Sequence, residues 1–210
     1  MALDPATRDK TRQKWDRAAA WFDFSAAWGT ERRWAPFKKN LFASMNGNIL
    51  FMAAGTGLDF PCFPPGKTIT AIDISPNMVQ RAARRANNYP GHIELIEMDA
   101  TAMTFADGHF DQVFTSCTFC SVPDPVAGLK EIRRVLKPGG TLAMFEHTGS
   151  KIFPFNLMLH LMTPISRAFG PEMNRDTLNN LDRAGFAIQR VENHFLDVVR
   201  SIHAQSPHHG

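Results

Sequence analysis

The sequence has little cysteine, little excess charge and no long apolar run. With three cysteines in 210 residues it lacks the pairs that would staple a small secreted domain. Two of them form Cys117-Thr118-Phe119-Cys120. There is no second CxxC and no histidine pair at zinc-ligand spacing, and a redox pair of that kind should open a helix directly, so metal binding is not expected. The 23 Lys and Arg against 20 Asp and Glu leave a formal charge of +3, without the cationic runs that grip phosphate backbones. Nucleic acid is therefore not an expected partner. No stretch approaches the ~20 apolar residues needed to cross a bilayer, and Met1-Ala2-Leu3-Asp4-Pro5 lacks a signal-peptide pattern, so a cytoplasmic protein is expected.

What the sequence does have is a composition of 44% hydrophobic and 20% charged residues, enough for one substantial core. Short apolar runs at 49–53, 68–73, 92–98, 110–116 and 141–145 alternate with helical patterns, the signature of βαβ units in a parallel sheet. Ser75 before Pro76 starts a helix carrying Met78, Val79, Ala82, Ala83 and Ala86. Asp124-Pro125 starts another, and Pro138-Gly139-Gly140 ends it before the fifth strand. Residues 151–173 form an aromatic and methionine-rich insertion interrupted by Pro154 and Pro164. Asn174 caps a helix through Ala184, Gly185 ends it, and runs at 186–195 and 198–204 predict an antiparallel hairpin. The tail from Ser206 is expected to be disordered. At the front, Trp15, Ala18, Ala19, Phe22 and Ala26 share one face of a helix over 8–28 that lies outside the sheet. Its plain role is packing; its functional role is a lid over the site or a foot on a membrane surface. The expected fold is an α/β, doubly wound, Rossmann-like domain with a seven-stranded, mostly parallel sheet. A single domain is expected, with a helical lid at 1–45, a cofactor-binding core at 46–150, the insertion at 151–173, and a helix with antiparallel strands at 174–204.

The turn Ala53-Ala54-Gly55-Thr56-Gly57 follows the first strand directly, where backbone N–H groups can approach a ligand. A dinucleotide turn needs glycines at G-x-G-x-x-G spacing, and here those positions hold Ala53, Gly55 and Leu58, which disfavours a nicotinamide oxidoreductase. Asp73 ends the second strand about 20 residues further on, where a carboxylate can accept the hydroxyls of a ribose. Asp99, in Met98-Asp99-Ala100 after the third strand, can take the exocyclic amine of adenine. Ligands of such sheets gather at the carboxyl ends of the strands, so three such positions in register mark a nucleoside site.

That order of motifs, with Phe110-Asp111-Gln112-Val113 and the run from Glu131 to Gly140, resembles the class I, UbiE-like S-adenosylmethionine-dependent methyltransferases. Phe63-Pro64-Pro65-Gly66, Cys120-Ser121-Val122 and Phe145-Glu146-His147 resemble the branch of thiol S-methyltransferases, with bacterial phospholipid N-methyltransferases similar in layout. The resemblance covers Trp15 to about Ala204. It implies S-adenosyl-L-methionine as cofactor, S-adenosyl-L-homocysteine as product, and a cofactor site of Ala53, Gly55, Thr56, Gly57, Asp73, Ile74, Met78, Asp99, Ala100 and Thr115. The family usually has an acidic residue where Phe51 stands and a glycine where Ala53 stands. Its lid helix bears a tyrosine, yet the single tyrosine here is Tyr89, so the lid contributes no phenol.

Methyl transfer is an in-line displacement needing alignment, exclusion of water and, for a protonated nucleophile, a base. His147 is the candidate base, because a histidine titrates near neutrality. Trp15, Phe22, Ser116, Cys117, Cys120 and Glu146 are expected around the acceptor. The cysteines serve as wall residues, since a covalent intermediate brings this displacement no advantage. A small-molecule or lipid substrate is expected, a phospholipid head-group amine or a thiol, with peripheral membrane contact. The alternative is a cofactor-binding regulatory or membrane-associated protein without catalysis. The sequence fixes neither the acceptor atom nor the oligomeric state.

Overall fold

The computed structural model describes residues 4–26, 30–169 and 171–207, with side-chain surroundings outside 20–31 and 168–170. Its centre is β1 (Ile49–Met52), whose four residues are all buried, as a strand covered on both faces requires. Around it the seven-stranded sheet runs β3-β2-β1-β4-β5-β7-β6, with β2 (Thr68–Asp73), β3 (His92–Glu97), β4 (Phe110–Ser116) and β5 (Leu136–His147) parallel to it. β6 (Ala187–Phe195) and β7 (Val199–Gln205) close the sheet as the expected antiparallel hairpin. The order reverses between β1 and β4, so connections leave in opposite directions and open a crevice at the carboxyl ends of those strands.

The pleat divides the core. Ile49 and Phe51 face a cluster containing Phe42, Phe60, Phe63, Phe114 and Phe145, while Leu50 and Met52 face one containing Phe110, Leu129, Ile132 and Met144. Two parallel crossovers use sharp helix starts. Ser75 Oγ accepts from Met78 N at 3.1 Å at the head of α3 (Pro76–Ala86), and Asp124 Oδ1 accepts from Ala127 N at 2.9 Å at the head of α4 (Pro125–Val135).

Three expectations need correction. β5 starts at Leu136, directly after α4, so Pro138-Gly139-Gly140 lies within its span. The pairing jumps from Phe110↔Leu136 to Gln112↔Thr141, and Gly139 at φ 74° lets the intervening residues bulge out of the ladder. The helix before β6, α6 (Thr177–Arg183), is capped by Asp176 rather than Asn174. Gly149 N donates to Arg175 O at 2.8 Å, which draws that chain against the end of β5. Ser206 is ordered, because its N–H donates to Gly140 O at 2.9 Å and its carbonyl accepts from Gly139 N; residues 208–210 lie outside the described residues. The insertion is a helix, α5 (Phe155–Phe169), that carries Pro164 inside it. At the front, α1 (Pro5–Ala26) matches the expected helix, and a second, α2 (Thr30–Phe42), follows it. Trp28 and the surroundings of Phe22 lie outside the described residues.

Candidate active site

The crevice is organised by the turn after β1. Ala53, Gly55 and Gly57 all take positive φ, at 56°, 55° and 81°. A Cβ on Gly57 would sit 2.7 Å from the Phe60 ring and 3.2 Å from Ala82 Cα, so its glycine lets α3 pack close; it does not line the cleft. A Cβ on Gly55 meets nothing within 4 Å, which leaves open space where a ligand would approach.

Asp73 ties the turn to the end of β2. Its Oδ2 accepts from Gly55 N at 2.8 Å and its Oδ1 from Ser75 N at 2.9 Å, which leaves lone pairs on both oxygens for hydroxyl donors. Burial pushes its carboxyl up to about 6, against the pull of those two N–H groups. At the end of β3, Thr101 N and Thr101 Oγ1 both donate to Asp99 Oδ1 at 2.8 Å, and Oδ2 has no hydrogen bond among the described residues. Ile74, Met78 and Ala100 complete that wall, with Ala53 and Thr56 opposite on the turn.

α1 reaches these strand ends through Asp16, whose Oδ1 accepts from Ser75 Oγ at 2.5 Å and from Asn77 N at 3.3 Å. Thr11 and Trp15 of the same helix face the cleft. On the far side stand Ser116, Cys117 and Thr118 after β4, then Ser121, Val122 and Pro123. Two cleft-lining hydroxyls, Thr56 Oγ1 and Ser116 Oγ, are buried without a partner among the described residues. Buried polar atoms are almost always satisfied, so this pair marks where a ligand's polar end belongs.

Residues that sequence reasoning missed fill the same end. Lys38 Nζ lies 2.7 Å from Asp59 Oδ1, with side chains only 5% and 13% exposed, and both residues line the cleft. The signal was helical phase: Lys38 shares the apolar stripe of α2 with Leu41 and Phe42, whereas Lys39 points out. Phe51 turns away from the cleft and packs edge-on against Phe42 and Phe63, with ring centroids 5.8 and 4.9 Å apart.

Several expected residues are held elsewhere. Glu146 is wholly buried and accepts from Thr115 Oγ1 at 2.9 Å, Thr118 N at 3.1 Å and Phe119 N at 3.1 Å. Burial pushes its carboxyl up to about 7. It braces the turn after β4 and does not reach the cleft, and neither does Thr115, its partner. Cys120 is buried with Sγ 3.3 Å from Cys117 O, and burial pushes its thiol up to about 12. Cys117 does line the cleft, at φ 51°. Burial raises its thiol well above the usual range although the residue keeps exposed surface, so both thiols are protonated. His147 sits at the end of β5 off the cleft wall, half-buried, with Nδ1 unpartnered among the described residues and its pKa lowered by burial.

A glycine turn after β1 and carboxylates at the ends of β2 and β3 on this sheet order match the layout of class I S-adenosylmethionine-dependent methyltransferases. The methyltransferase domain family matches residues 50–144. The ubiquinone/menaquinone biosynthesis C-methyltransferase UbiE of Geotalea daltonii is 32% identical over 162 residues, 72% of this chain and 69% of the relative. Human thiol S-methyltransferase TMT1B is 28% identical over 179 residues, 78% of this chain and 72% of the relative. Among solved structures, a methyltransferase from Thermotoga maritima superposes with a TM-score of 0.69 at 16% identity, covering 92% of this chain and 99% of that one, a likeness of fold. The chain belongs to the UbiE-like methyltransferase family. Its cofactor is S-adenosylmethionine.

Proposed function

We propose that the protein methylates a small lipophilic acceptor, a thiol or a phospholipid head-group amine, met at or near a membrane surface. One observation carries the choice of acceptor. Among the described residues the cleft wall has no histidine, and its carboxylates are Asp73, Asp99 and the lysine-paired Asp59. A thiol or an ammonium gives up its proton more readily than a hydroxyl or carbon acceptor, so a weak base beyond the wall suffices, which suits a thiol or an amine. The similarity to thiol S-methyltransferase TMT1B supports the first of these.

The residues divide the cofactor among them. Asp73 takes the ribose hydroxyls and Asp99 the adenine amine. Thr56, Ser116 and the Lys38–Asp59 pair take the amino-acid end, whose carboxylate and ammonium match a lysine and an aspartate. Bound there, the cofactor supplies an electrophilic methyl group on a sulfonium. Trp15 and the lid exclude water, and Val122 and Pro123 give the acceptor an apolar wall. His147 acts as base on an acceptor that reaches past the Cys117 turn, its lowered pKa keeping the imidazole neutral at pH 7. The chain works as one domain, with residues 1–45 as its lid.

The test is incubation with labelled cofactor against alkyl thiols and phosphatidylethanolamine vesicles. Label in either acceptor class supports the proposal, and label in neither, with S-adenosylhomocysteine still bound, would establish a binding protein without catalysis. That second reading is favoured by the strained Ala53 and by Phe51, both departures from the family pattern.

A further inference from the structure

Among the described residues, the most exposed large apolar side chains lie on α5 and the residues leading into it. Phe153 is 77% exposed, Leu161 69% and Ile165 68%, and Ile152, Leu157, Met158 and Met162 are exposed beside them. At 100° per residue the five exposed side chains within α5 fall in an arc of about 140°, while buried Leu159 and Thr163 lie on the opposite side. The helix thus rests on the protein by one edge and presents an unbroken apolar face outward. Exposed patches of this kind on soluble folds mark an interaction surface.

We infer that this face docks in the interfacial layer of an anionic membrane. Residues 151–169 contain no Asp or Glu; exposed Lys151 leads into the face, and His160 and Arg167 lie about 60° and 80° beyond its edge on the helix flank. Arg167 pairs with Glu172 at 3.0 Å yet stays 65% exposed. An apolar face without acidic residues, flanked by cations whose long side chains can reach the head groups, complements acyl chains beneath anionic lipids. A second copy fits worse, because packing two such faces brings like charges together. At ~1.5 Å per residue, 15 residues reach about 22 Å, short of a bilayer's ~30 Å core, so the helix lies in the membrane plane. No helix among the described residues is long and apolar enough to cross a membrane. Lys14 Nζ donates to Arg167 O at 2.7 Å, tying the end of α5 to α1, which carries cleft-lining Thr11 and Trp15. Docking would thus hold the lid beside the lipid, where the proposed lipophilic acceptor resides; only that last link rests on the proposed acceptor.

The test is sedimentation of the full chain with vesicles of phosphatidylcholine alone or mixed with phosphatidylglycerol. Binding to the mixed vesicles is expected, weaker to the neutral ones and falling with salt. Leu161→Glu with Ile165→Glu should cut binding about tenfold or more, while calorimetry shows S-adenosylhomocysteine affinity unchanged. That calorimetric arm separates failed docking from a failed fold or a failed cofactor assignment. No binding to anionic vesicles, or binding indifferent to the double variant, overturns the inference. A dimer in size-exclusion chromatography that the same variant splits, without vesicle binding, would assign the face to a second copy and also overturn it.

Discussion

Replacing Lys38 with Met removes the one cation that the described residues place on the cleft wall and leaves Asp59 behind. Simple loss of affinity would be ambiguous, since breaking a buried ion pair costs about 3–5 kcal/mol and can disturb the whole cleft. A comparison of two ligands on the same variant removes that ambiguity. S-adenosylhomocysteine and 5′-methylthioadenosine share the adenosine and the sulfur but differ in the amino-acid end. A hydrogen bond to a charged group contributes roughly 1.5–3 kcal/mol. If Lys38 holds the carboxylate, the parent protein should prefer S-adenosylhomocysteine, and the preference should shrink by about 10- to 100-fold in Lys38→Met. Calorimetry measures both affinities, and Lys38→Arg should keep most of the preference. A ratio unchanged in Lys38→Met, with both ligands still bound, would refute the assignment of the amino-acid end to this pair.

Asp73→Ala should weaken S-adenosylhomocysteine by about 1–3 kcal/mol if the ribose bonds form, and in the parent protein affinity should fall as pH drops through about 6, where Asp73 becomes protonated; a flat profile from pH 5 to 8 counts against it. Glu146 has a folded pKa raised from 4.5 to about 7, so its contribution to stability is complete below 4.5 and is lost as pH rises through 7. That loss is about 3 kcal/mol at most, and urea unfolding at pH 5 and pH 8 should show a smaller difference in Glu146→Gln than in the parent. Gly57→Ala forces a Cβ to 2.7 Å from the Phe60 ring at φ 81° and should lower the melting temperature, whereas Gly55→Ala, with open space around it, should weaken the cofactor more than the fold. His147→Gln should reduce kcat by about 10²-fold or more with cofactor affinity unchanged if the imidazole is the base, and equal kcat values would exclude that role.

The centre of the sheet was legible because β1 and the carboxyl ends of β2, β4 and β5 are buried and so read as apolar runs, and because Ser75-Pro76 and Asp124-Pro125 are local signals that tertiary contacts did not override. The limits at the carboxyl end were less legible. Asn174 and Asp176 are equally good caps on paper, and the bond from Gly149 N to Arg175 O, a long-range contact, decides between them. The ligand end of the site followed the strand ends, which placed Asp73 and Asp99. Lys38 escaped because its functional burial depends on the pairing with Asp59, 21 residues away in sequence, and a lysine on an apolar stripe reads locally as a solvated neighbour. Glu146 shows the converse error. A carboxylate beside a histidine at a strand end looks like an acceptor residue, but the N–H groups of Thr118 and Phe119 turn it inward.

The two departures in the turn have different physical consequences. Ala53 keeps the left-handed conformation of a glycine, at φ 56°, at a cost of roughly 1–2 kcal/mol for a side chain there. The turn survives because Ala54 N donates to Ile72 O, Gly55 N to Asp73 Oδ2 and Gly57 N to Ala54 O, which together over-determine its path. Phe51 costs the site an anion but gains a ring in the Phe42–Phe60–Phe63 cluster beneath the turn. An acid at position 51 would supply charge from inside the sheet; here charge of both signs comes from Asp59 and Lys38 at the rim. With Lys38 on α2 and Asp59 in the segment after β1, the amino-acid end proposed for this pair would be coupled to α2. Order in α2 and affinity for that end should therefore rise together.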